Sequence, residues 1–190
     1  MRPDAAVLVA TVRALKTHAG RYNVIPGKPL PSAMLEDNPN DVLAGAANLR
    51  KHIEIVREFG VSPIVALNVF PTDHPDEIDA VRKVAEAAGA HFASSTHVVD
   101  GGDGAVDLAH AVVAACDHKA DFRYTYDLED SLVEKLTKVA TKVYGADGID
   151  IAPAAAKELA HFEDLGYGTL QVVIANPHES LTQAPSLTGR

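Results

Sequence analysis

Pro63-Ile64-Val65-Ala66-Leu67-Asn68-Val69-Phe70-Pro71-Thr72-Asp73 divides at Asn68. Before it stands an uncharged apolar run, and after it a polar turn closed by Pro71. An apolar run of this length without alternation reads as a strand buried on both faces. The same signature stands upstream at Ala5-Ala6-Val7-Leu8-Val9-Ala10 and, shorter, at 90–94. Helical spacing fills the intervals. Val42, Ala46, Leu49, Ile53 and Val56 step by four and three along one face, ended by Gly60. Ile78, Val81, Ala85 and Ala88 mark a second helix ending at Gly89, and a third runs through Val112 and Cys116. Strands alternating with helices predict parallel strands joined by right-handed crossovers. The expected class is α/β, a parallel sheet with flanking helices over residues 1–117.

The rhythm changes after Asp117. Residues 122–127 lead into a helix carrying Leu128, Leu132, Leu136, Val139 and Val143. A helix over about 153–165 and an apolar strand over 170–175 come next. This predicts a smaller α+β portion over 118–190. Between Gly20 and Asn40 lies a stretch rich in Pro and Gly, read as a long surface loop. Connections usually take about 4–6 residues, and much longer ones are often lids or binding loops.

Composition narrows the function classes. Apolar residues make up 47% of the 190, enough for a packed core. The formal net charge of -9, with Lys and Arg scattered, argues against a nucleic-acid partner. No apolar stretch approaches the roughly 20 residues of a membrane-spanning helix, and no secretory leader is evident, so a cytoplasmic setting is expected. The single cysteine, Cys116, excludes an internal disulfide and a Cys-based zinc site. Cys116 could serve as a nucleophile, but its place in an apolar helical run predicts a buried, structural thiol. The nine His residues show no metal-ligand spacing, and no metal site is expected.

In an open parallel sheet, ligands bind beyond the carboxyl ends of the strands. That rule selects segments 11–20, 68–73 and 94–104. Arg13, Lys16 and His18 in the first are able to hold phosphate or carboxylate oxygens; solvated helix residues are the plain alternative. Asn68 could read a base edge or hold its loop, and Asp73 could cap the next helix. Phe70 either plugs the core beneath its turn or offers a face to a flat ligand, and the residues alone favour the first. The glycines of Asp100-Gly101-Gly102-Asp103-Gly104 suggest a phosphate loop. They fit neither G-x-G-x-x-G nor G-x-x-x-x-G-K-[ST], and Asp103 would repel phosphate, so a tight strand-to-helix turn is expected. Gly27-Lys28-Pro29 is no Walker A loop either, because Pro29 stands where Ser or Thr should hold Mg²⁺.

Several stretches resemble, in order, those of the formate–tetrahydrofolate ligase family. They are Pro3-Asp4-Ala5-Ala6-Val7-Leu8-Val9-Ala10-Thr11-Val12-Arg13-Ala14-Leu15-Lys16, Gly27-Lys28-Pro29-Leu30-Pro31, Asn48-Leu49-Arg50-Lys51-His52-Ile53 and Val65 through Asp73. Tyr144-Gly145-Ala146-Asp147-Gly148 and Leu165-Gly166-Tyr167-Gly168-Thr169-Leu170 continue the series. The resemblance implies a P-loop-type α/β domain and an ATP-dependent ligase that joins formate to tetrahydrofolate through formyl phosphate. It implies ATP with Mg²⁺ and tetrahydrofolate as ligands, small-molecule substrates, and homo-oligomers in the complete enzyme. The family's phosphate loop lies upstream of the matched stretch, so an interior segment, inactive alone, is expected. A non-catalytic small-ligand module, or an inert truncated one, is the alternative.

The resemblance also implies roles for individual residues. Phe70 matches one of two aromatics that hold the pterin ring. Val98 falls where many members have the second, a Trp. Thr11, Arg13, Lys16, His18, Asn68, Asp73 and Ser95 are expected at the mouth of the active site. Ala175-Asn176-Pro177-His178 departs from the family's usual Ala-Lys-Thr.

Overall fold

The buried runs become three parallel strands in the computed structural model, which describes residues 2–25 and 27–175. They are β1 (Ala5–Ala10), β2 (Ser62–Asn68) and β3 (His91–Ser95), in the order β1-β2-β3. Register pairs Val7 with Ile64 and Val65 with Phe92. Because β2 is central, Ile64 through Leu67 are buried on both faces, as an unbroken apolar run requires. β1 departs from that expectation. Its inner side chains reach the core, but Val7 is 42% and Val9 66% exposed. The described elements leave the face carrying them largely open.

Connecting helices follow the strands. They are α1 (Val12–His18), α2 (Pro39–Ala44), α3 (Ala47–Glu58), α4 (Pro75–Ala87), the short α5 (His97–Asp100) and α6 (Val106–Cys116). Val12 and Leu15 of α1, Val42, Leu49, Ile53, and Val81 and Val84 of α4 pack with Val65 and Leu67 into one core. Packing of α6 is against β3. Cys116 is exposed, contrary to the expected buried thiol. A helix turns about 100° per residue, so the sheet takes Ala115 and the outer face of this apolar helix keeps Cys116 and Val113 in solvent.

The stepping from Val42 to Val56 predicts one helix, and the structure divides it at Gly45. A Cβ on Gly45 would lie 1.7 Å from the carbonyl oxygen of Leu15. The close approach of α1 thus demands a glycine where the spacing alone sees a continuous face. The 31–38 part of the long stretch is also more ordered than a surface loop. It holds a 3₁₀ turn at Ser32–Leu35 with Met34 buried, and Asn38 caps α2 by accepting from the Asp41 N–H at 3.3 Å.

The chain divides into two compact units, the second beginning at Arg123. It contains α7 (Leu132–Lys138), a π turn at Val139–Val143 and α8 (Pro153–Asp164). Ser131 and Glu134 bond reciprocally at the start of α7, the capping box their spacing encodes. The Leu132 N–H donates to Glu163 Oε1 at 2.7 Å, joining α7 to α8. Lys135 is buried and donates to the carbonyls of Gly168 and Leu170. The strand expected over 170–175 does not form: these residues are irregular, and Val173 is 92% exposed. A strand needs a neighbouring backbone, and here the Val172 N–H bonds the Tyr126 hydroxyl instead, at 3.0 Å. The described part of this unit is therefore helices and turns, without the β part of an α+β portion.

Candidate functional site

Three parallel strands put their carboxyl ends on one edge. Register sets Ala10 beside Leu67 and Asn68 beside Ser95, so segments 11–18, 68–73 and 95–104 leave from that edge. The Val69 N–H donates to the Ser95 carbonyl at 2.9 Å, continuing the β2–β3 contact one residue into the turn. Ser95 itself is buried, with its hydroxyl 2.9 Å from His97 Nδ1.

The turn after β2 is closed from both sides. The Phe70 N–H donates to Asp73 Oδ2 at 2.9 Å, and the Asp73 N–H donates to the Phe70 carbonyl at 2.9 Å. Asp73 thus braces the turn; the helix start is served by Glu77, which accepts from the His74 N–H at 3.2 Å. Burial pushes the Asp73 carboxyl above its usual range, against the pull of the Phe70 N–H and the Arg13 charge. Phe70 is half-buried, neither a sealed core plug nor a free ring.

Arg13, in the first turn of α1, meets this turn directly. Its guanidinium carbon lies 4.0 Å from the Phe70 ring centroid, and Nη2 donates to Thr72 Oγ1 at 3.0 Å. Its Nε is buried without a partner among the described residues. Thr11 spends its hydroxyl capping α1, accepting from the Ala14 N–H at 3.1 Å.

The other two basic residues go elsewhere. Lys16 is 1% exposed, 2.5 Å from Glu77 Oε1 and 2.7 Å from the Glu36 carbonyl. It is neither a solvated helix residue nor an open-mouth donor. Glu77 also accepts from the Asn38 N–H at 3.0 Å, so this buried pair ties α1, the 20–38 stretch and α4 together. His18 is exposed at the far end of α1; the His52 pKa is lowered first by burial and then by the His18 charge. Sequence reasoning passed over Glu77, whose only signal was a carboxylate in the first turn of a helix. It also passed over Asp41, a buried carboxylate bonded by Arg21, Tyr22 and Asn38. Burial raises the Asp41 pKa, but Tyr22 and Arg21 outweigh it and hold the group below its usual range.

Past β3, Val98 sits on α5 with about half its surface exposed. The glycine turn beyond it packs onto the strand end. A Cβ on Gly104 would lie 2.5 Å from Thr96 Oγ1, and the Thr96 N–H donates to the Gly104 carbonyl at 2.9 Å. That is a tight turn carrying Asp103 and preceded by Asp100, whose charges oppose a phosphate. Among the described residues no three His, Cys, Asp or Glu side chains gather as a metal ion would need, and no helix is long and apolar enough to cross a membrane. The departure at Asn176-Pro177-His178 lies outside the described residues.

The edge therefore combines a braced aromatic turn, a guanidinium on that aromatic, and a second turn bearing Val98. Relatives of similar sequence are named as enzymes. Over 189 residues the chain is 94% identical to a formate–tetrahydrofolate ligase of Cutibacterium acnes, matching all of this chain and 34% of that protein. It is 57% identical to the formate–tetrahydrofolate ligase of Saccharopolyspora erythraea, again over the whole chain and 34% of the relative. A Chloroflexus aurantiacus ligase of the same name is 46% identical over 98% of the chain and 33% of the relative. The chain thus spans about a third of the length of the curated relatives it matches. Residues 1–190 match the formate–tetrahydrofolate ligase family throughout, and the chain belongs to that family.

Proposed function

We propose that this chain supplies the folate side of an ATP-dependent ligase that forms 10-formyltetrahydrofolate from formate and tetrahydrofolate. In that reaction a formate oxygen attacks the γ-phosphorus of ATP, releasing ADP and giving formyl phosphate. A folate nitrogen then attacks the formyl carbon and phosphate leaves. The observation that carries the folate reading is Phe70. It is a half-buried aromatic, two residues past the central strand, in a turn braced by Asp73 at the edge where open sheets bind ligands. The pterin ring stacks on Phe70 and packs on its other side against Val98. Those two residues follow adjacent parallel strands from the same edge.

ATP and Mg²⁺ are assigned mainly to parts of the complete enzyme outside this chain. The Gly101–Gly104 turn does not suit a triphosphate, since Gly104 packs on Thr96 and the turn, directly after Asp100, carries Asp103. Residues 1–117 then belong to the enzyme's large α/β domain, of P-loop type, and 118–190 open a smaller one. The complete enzyme acts in the cytoplasm and assembles as a homo-oligomer. Alone, the 190-residue chain is expected to be inactive; product formed from ATP, formate and tetrahydrofolate by the purified chain overturns that.

Steady-state kinetics of a complete ligase carrying this segment test the folate slot. Phe70→Ala is expected to raise the tetrahydrofolate KM by at least about fivefold, the loss of one stacking contact. Val98→Trp, which restores a second ring, is expected to lower it by about the same factor. Neither should shift the ATP KM. An unchanged tetrahydrofolate KM in Phe70→Ala places the slot elsewhere.

A further inference from the structure

We propose that Arg13 is a positioning residue for the folate face, setting the plane of the Phe70 ring by covering one side of it and leaving the other for the ligand. The proposal rests on the reading of Phe70 as a pterin contact. The turn already pins the Phe70 backbone, through the paired bonds with Asp73. What remains free is the rotation of the side chain, and Arg13 restricts it. Its guanidinium carbon is 4.0 Å from the ring centroid, well inside the roughly 6 Å range of a cation–ring attraction. The plane of the guanidinium suits it to lie flat on a ring, as a lysine ammonium cannot.

Two further details favour the ring as the reason for this placement. Nη2 bonds Thr72, two residues beyond Phe70, so the guanidinium is held in register with the same turn. Nε is buried with no partner among the described residues. Burying a donor unpaired costs free energy, so the side chain is not arranged to satisfy its own hydrogen bonds. Contact with the aromatic face offsets that cost. A ligand then meets a ring of set orientation, and ordering the side chain is no longer charged against binding.

The test is a double-mutant cycle on the tetrahydrofolate KM of a complete ligase carrying this segment. Arg13→Ala is expected to raise that KM by about two- to fivefold, the worth of a partly exposed cation–ring contact. The ATP KM, which a general loss of structure would disturb, is expected to stay constant. Arg13→Gln keeps a donor for Thr72 without the charge, and is expected to raise the KM as well should Arg13→Ala fold poorly. In the Phe70→Ala background, Arg13→Ala is expected to add nothing, because there is no ring left to orient. An effect of Phe70→Ala alone, with Arg13 variants neutral, additive or tightening, overturns the positioning role and leaves the folate slot standing. No effect of Phe70→Ala overturns both.

Discussion

Lys16 shows how far a single residue's fate depends on contacts distant in sequence. As a basic residue in the segment after the first strand, it reads as a ligand for anions or as a solvated side chain. The structure seals it against Glu77, 61 positions away, at 2.5 Å. A buried ion pair is weak evidence of net stability, but removing one partner leaves the other charged and unpaired, at about 3–5 kcal/mol. Lys16→Met is therefore expected to lower the unfolding free energy of the chain by about that amount, read from urea denaturation. An unchanged midpoint would mean that Glu77 is satisfied by the Asn38 and His74 N–H groups alone. By contrast, Arg13 and Phe70 were both legible by position, since each stands just past a strand end. Their contact was not, because nothing in either stretch encodes which helix residue reaches which turn.

At the scale of elements, the strands and helices of the first unit were legible because burial and periodicity there are local signals. Unbroken apolar runs became β1 and β2, and the four-three spacing ended at the glycines it predicted. Gly45 escaped because its reason lies in α1: the spacing passes through it smoothly, while the Leu15 carbonyl occupies the place a side chain would need. Gly45→Ala is expected to push backbone against backbone, at a cost of about 1–3 kcal/mol or more. For a chain of this size that lowers the thermal midpoint by several degrees, at roughly 2–4 °C per kcal/mol. A midpoint that holds or rises would show that α1 and α2 can part cheaply. The apolar run at 170–175 misled for the opposite reason. Composition can nominate a strand, but only a neighbouring backbone makes one, and Val172 bonds the Tyr126 hydroxyl instead.

For the molecule as a whole, the exposed apolar side chains of β1 agree with a chain that spans about a third of its relatives. Val7 and Val9 form part of a sheet face that a longer polypeptide of the family has the means to cover. The contribution proposed for this segment is the edge where Phe70 and Val98 follow β2 and β3, with Arg13 on one face of the ring. The most direct measurement is a crystal structure of a complete ligase carrying this segment, with tetrahydrofolate bound. The expected result is a pterin ring in van der Waals contact, roughly 3.5–4 Å, with the face of Phe70 that Arg13 leaves open, and Val98 on its other side. A pterin bound at the amino-terminal end of the strands, or touching neither Phe70 nor Val98, would contradict it.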